Sequence, residues 1–261
     1  MPDHFLTLIP VCIQIAVLTV LLPLSMRLIR ESDRAIHAVF LTFILSLWLL
    51  TDLYWVIYEF MRPDSRMPFA ANEIGEAAVF LLDGAMLASL VCGWKGARIQ
   101  TVSALAFAVC NVALWVAWSG EWVDDLFIGA AYAGFLYQVV RALTFHHALK
   151  PWEWVALGAG CALLILGQAL TFFAPEGAKA GLDTGCSVLL ALGTVCWAVK
   201  AIFARRRNAE PVTLLCLVFA LIAWVVTAKY MSADAWYAVF MVCETLCMPM
   251  LYGAVRKVVA A

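Results

Sequence analysis

"LWLLTDLYWVIYEF", residues 47–60, has the make-up of a membrane-crossing helix, except that Asp52 and Glu59 stand in it. An ionised carboxylate near the centre of a spanning helix costs about 2.5–3.5 kcal/mol on insertion scales. Two acids seven residues apart lie almost two helical turns apart and share a face. With Trp48 and Trp55 they form a stripe of Trp48, Asp52, Trp55 and Glu59 along one side of the segment. What could justify that stripe depends on what surrounds it.

The surroundings are apolar. Of 261 residues, 65% are hydrophobic and 13% charged, and the mean hydropathy is +0.93. Soluble domains carry about 25% charged residues. The apolar excess comes in runs of about 18–24 residues, the length that crosses a hydrocarbon core of ~30 Å at 1.5 Å per residue. The fold class expected is all-α: a multi-pass helical membrane bundle forming a single integral membrane domain over 1–261. The nine cysteines all fall inside apolar runs and form no C-x-x-C pair. A disulfide framework or zinc site is therefore not indicated. A net charge of −1 and the lack of a basic block interleaved with aromatics give no support to nucleic-acid binding.

Polar breaks divide the chain into nine candidate spans, at 5–26, 37–61, 74–94, 101–118, 126–145, 152–173, 184–203, 211–228 and 236–255. The N-terminal "MPDHFLTLIP" has no basic segment ahead of its apolar run, so it is read as the first span rather than a signal peptide. Arg27, Arg30, Arg34, Lys95, Arg98, Arg141, Lys150, Lys200, Arg205, Arg206, Arg207, Arg256 and Lys257 fall at one set of span ends. Only Arg62, Arg66, Lys179 and Lys229 fall at the other. Cytoplasmic loops carry the positive excess. The expected orientation is N-terminus outside, C-terminus cytoplasmic, in the cell inner membrane. Gly177, Gly181 and Gly185, four apart, suggest close helix approach near the start of span 7.

Span 3 carries its own acids, Glu73, Glu76 and Asp83, the last two again seven apart. Counted from the outer span ends, Asp52 and Asp83 both come out about 8–9 residues down, or ~12–13 Å, near mid-membrane. Glu59 and Glu76 come out near the surface. The hairpin is thus expected to present two tiers, Asp52 with Asp83 at mid-depth and Glu59 with Glu76 at the mouth. Glu244 in "VFMVCETLCMPM" adds a third mid-depth acid. Ionisable groups inside the membrane usually face the bundle interior or a wet cavity and mark pathways or ligand sites.

The expected function is that of an outward-facing acidic cavity binding a cation or small protonatable solute, most simply in ion-coupled secondary transport. Asp52, Asp83 and Glu244 are the binding acids, Glu59 and Glu76 a focusing funnel, and Trp48 and Trp55 ring faces for an organic cation. The alternative is a membrane sensor that reads a ligand in the same cavity and acts through a cytoplasmic partner. The short tail "RKVVAA" would leave such output non-covalent, which favours transport. Enzyme chemistry is not favoured: P-loop, H-E-x-x-H and G-x-S-x-G motifs are missing. No cofactor is indicated, since mid-span histidines for haem and mid-span lysines for retinal are both lacking. Cys243, Cys247 and Met250 share a helical face and would suit copper(I), without a second motif to support it. Gln138 and Arg141 could hold an anion or close an inner gate. The partners expected are the bilayer and the solute, and a homo-oligomer is compatible with the pattern.

Single-cysteine probes test the orientation. Lys179→Cys should react with a membrane-impermeant maleimide on intact cells, and Arg206→Cys only after permeabilisation. The opposite labelling would invert the topology.

Overall fold

A computed structural model describes residues 2–31, 35–61, 71–91, 109, 113, 122–230 and 236–260. They form eight helices among the described residues, with no strand: α1 (Pro2–Glu31), α2 (Ile36–Met61), α3 (Ala71–Ser89), α4 (Trp122–Phe145), α5 (Pro151–Phe173), α6 (Glu176–Arg206), α7 (Glu210–Tyr230) and α8 (Trp236–Ala260). Each coincides with an expected span. The remaining expected span, 101–118, lies outside the described residues apart from Val109 and Ala113. Several helices overshoot the apolar runs that announced them, α6 by eight residues at its start, because polar turns can continue a helix past the hydrocarbon. Pro10, Pro23 and Pro249 all lie within continuous helices.

Stretches in α1, α2, α5, α6 and α8 are long and apolar enough to cross a membrane. Their outward faces fit that medium. Trp152, Val155 and Phe173 on α5 are 66%, 73% and 87% exposed, and Leu163, Leu166, Leu192 and Phe203 are also open. A continuous apolar surface of this extent would be costly in water.

Packing is uneven. α1 lies between α2 and α8, α2 packs on α3, and α3 packs on α4. α7 runs through the interior against α3, α4, α6 and α8. Its residues Leu214, Leu215, Cys216, Leu217, Val218, Ala220, Leu221 and Ile222 are all buried. A helix that is apolar all round belongs inside, and α7 meets that rule. α5 is equally apolar yet packs only on α6 among the described elements.

Contacts between named side chains give the helix directions. His37 lies 2.9 Å from Ser89, and Gly75 faces Thr51, so α2 and α3 are antiparallel. Phe80 meets the rings of Tyr132 and Phe135, and Gly84 lies against the Phe135 main chain and Gln138, so α3 and α4 run parallel. One end of the bundle gathers the basic groups. There Lys200 pairs with Glu153 and Lys257 with Glu210, each at 2.7 Å, tying α6 to α5 and α8 to α7. Glu153 also accepts from the Lys150 backbone N–H at 2.6 Å, closing the first turn of α5. Past α4, His146 reaches the Leu90 carbonyl at the end of α3. Burial holds its imidazole below the ordinary histidine range, and the hydrogen bond to Leu90 opposes that only in part. His147 and Asn208 take the left-handed conformation (φ 47° and 53°) that ends α4 and α6.

The glycine expectation is corrected. A Cβ at Gly177, Gly181 or Gly185 would meet nothing within 4 Å among the described residues; beside Gly185 it is Gly167 of α5, not the glycine series, that admits Cys186 of α6. Neighbours are met instead at Gly75 by Thr51, at Gly167 by Cys186 and at Gly84, where a Cβ would lie in contact with the Phe135 main chain at 3.5 Å and leave no room for a larger side chain. Gly84→Leu should therefore destabilise the detergent-purified protein by about 2 kcal/mol through overpacking. Gly181→Leu should stay within about 0.5 kcal/mol of the parent. Thermal unfolding of the two variants checks the contrast, and equal losses would contradict it.

Candidate functional site: an acidic cluster shared by four helices

The register of the α2–α3 hairpin decides which acids meet. Levels pair as 37 with 89 and 51 with 75, fourteen residues apart on each helix. On that scale Glu76 lies level with residue 50, two residues from Asp52. Asp83 lies level with residue 43, nine residues from Asp52, or ~13 Å along the axis. The expected pairing of Asp52 with Asp83 is thus corrected: Asp52 shares its level with Glu76. The cause is that α3 begins at Ala71, so Glu76 enters the bundle deeper than a surface position would allow. Glu59 lies on α2 where only the backbone is described, and Glu73 likewise on α3.

α1 and α8 complete the level. Thr42 donates to Ser25 at 3.0 Å, which sets α1 against α2 so that Gln14 stands near the height of Asp52. Gln14 Nε2 donates to Glu244 Oε1 at 2.6 Å and lies 3.9 Å from Met248 Sδ. The charges of Glu244 and Glu76 both act on Asp52. Four helices therefore bring Gln14, Asp52, Glu76 and Glu244 together. Gln14, Asp52 and Glu244 are buried and Glu76 is half-buried.

The cluster is rich in acceptors. Gln14 Oε1 and Asp52 Oδ2 are buried with no hydrogen-bond partner among the described residues. Three carboxyl groups supply acceptors, and the amide N–H of Gln14 is already engaged with Glu244. A group that satisfies this site must bring hydrogen-bond donors or positive charge. Trp48, one turn from Asp52, is buried in the surrounding apolar core, and Trp55 is half-buried.

Gln14 was missed in reading the sequence, although a lone amide inside the run "VCIQIAV" is a signal of its own. Intramembrane amides find partners on neighbouring helices.

Asp83 stands apart. It is fully buried, and neither carboxyl oxygen has a partner among the described residues. Its separation from Asp52 rules out a shared-proton aspartyl dyad between the two, which needs carboxyls about 3 Å apart. One turn onward, Arg141 Nη1 donates to Gln138 Oε1 at 3.2 Å and its guanidinium lies over the Tyr137 ring. Cys247 and Met248 are buried in the helix interface, and no set of three His, Cys, Asp or Glu is disposed to hold a metal ion among the described residues.

The chain has no match to a protein-family model, a curated protein or a solved structure. The site must be read from its own geometry.

A double-mutant cycle on Gln14→Leu and Glu244→Gln should return a coupling of about 0.6–1.7 kcal/mol, the range for hydrogen bonds between membrane helices. Unfolding in mixed micelles measures it. Strict additivity would mean that the contact contributes nothing.

Proposed function

We propose that this chain is a nine-span inner-membrane transporter that exchanges protons for a small cationic or protonatable solute. The solute binds at Gln14, Asp52, Glu76 and Glu244. The observation that carries this reading is the excess of buried acceptors over donors at one level of the bundle. A bound ammonium-type cation would supply charge and donors to Gln14 Oε1 and Asp52 Oδ2, which have no partner among the described residues. Protons compete for the same oxygens, so loading and release of the solute follow protonation.

The spanning count has its own support. α3 ends and α4 begins at opposite ends of the bundle, and the chain between them holds one apolar run of spanning length, 101–118. The basic end is the cytoplasmic one by the positive-inside rule. The cluster then lies about 8–9 residues, or ~12–13 Å, below the outer helix ends.

In proteoliposomes, an imposed pH gradient should drive accumulation of radiolabelled ethylammonium or a larger primary amine. Asp52→Asn and Glu244→Gln should each cut the rate at least tenfold. Saturable amine binding without flux, together with a co-purifying cytoplasmic regulator, would replace transport with sensing.

A further inference from the structure

We infer that Asp83 is a proton-binding station separate from the solute cluster, through which protons pass between the cluster level and the basic end of the bundle. This deepens the transport reading above and rests on it for its flux test. Three observations carry it. Asp83 is fully buried and neither oxygen has a partner among the described residues, which a purely structural carboxyl has no reason to be. It lies ~13 Å from Asp52 along the hairpin register, too far to hold the same small solute. It also precedes Gly84, whose backbone packs directly on α4 beside Gln138, and Gln138 in turn holds Arg141 one turn nearer the basic end.

The titratable groups above and below this level on the helices packed against α3 can be named; beyond the end of α4 they include His146, which reaches Leu90 of α3. α2 contributes Asp52 on the cluster side and His37 on the basic side, the latter joined to Ser89 of α3 at 2.9 Å. α4 contributes Arg141 with Tyr132 and Tyr137. α7 offers no charged side chain at this depth, only the buried thiol of Cys216. Asp83 is thus the one carboxyl between the cluster and these basic-end groups among the described residues. The step is a simple transfer. A proton adds to one Asp83 oxygen to give the neutral acid, then leaves to water at the basic end, with no electron movement and no other bond broken.

Two assays in lipid nanodiscs and proteoliposomes separate the roles. With equal pH on both sides, Asp83→Asn should keep ethylammonium counterflow within about twofold of the parent, while pH-driven accumulation falls at least tenfold. Asp52→Asn should lose both. Infrared difference spectra on acidification should show a protonated-carboxyl band that Asp83→Asn removes and ethylammonium does not shift. If Asp83→Asn does not insert, Asp83→Glu should retain coupling with a displaced pH midpoint. Loss of counterflow along with accumulation, or full retention of accumulation, would overturn the station. No flux in the parent would instead sink the transport reading, and the infrared band would still decide whether Asp83 binds a proton alone.

Discussion

A carboxyl group inside an apolar helical bundle has no bulk water to return to, so its neighbours must supply what water would have given. That constraint organises this molecule. Asp52 and Glu76 come from neighbouring helices of one hairpin and Glu244 from the far end of the chain, yet they share one level with Gln14 from a fourth helix. The 2.6 Å hydrogen bond from Gln14 to Glu244 satisfies one oxygen and ties α1 to α8. Gln14 Oε1 and Asp52 Oδ2 remain buried without a partner among the described residues.

The scaffold that holds the cluster separates into a packed part and an appended one. α7 lies against α3, α4, α6 and α8, α1 and α2 join through α8 and α3, and α5 is attached through α6 alone among the described elements. The four cluster residues all lie in the packed part, where helices approach closely enough to meet. Gly84 allows the α3 and α4 backbones into contact, and Gly75 does the same for Thr51 on α2. The Gly75–Thr51 contact and that of His37 with Ser89 lock the α2–α3 register. Through that register they place Glu76 beside Asp52 and carry Asp83 inward, away from both. At the basic end, ion pairs clip neighbouring hairpins together, but exposed pairs are worth little, about 0–1 kcal/mol each. Most of the hold comes from buried Leu, Phe and Met side chains such as Phe80, Met86, Phe135 and Leu143.

Much of this could be read before any coordinates. Helix class, the positions of eight segments and the candidacy of Asp52, Asp83 and Glu244 follow from apolar run length and from the cost of acids within such runs. The partners of those acids do not follow. Counting inward from estimated span ends placed Asp52 opposite Asp83, and an error of a few residues at each end was enough to exchange Asp83 for Glu76. Gln14 escaped notice because an amide carries no charge and so breaks no hydropathy pattern. The glycines at 177, 181 and 185 have the spacing of a packing motif, whereas the glycines that meet a neighbouring helix among the described residues, Gly75, Gly84 and Gly167, stand singly.

The sequence by itself determined that this is a helical membrane chain, because twenty apolar residues in a row can satisfy their backbone groups in lipid only by coiling. It also marked which acids needed explaining. Only the tertiary structure decided which helices lie inside and which acids meet. In lipid both the interior and the surroundings are oily, so hydrophobicity cannot tell α7 in the core from α5 at the edge. Lateral contact and register, set by shape at a few small residues, make that choice.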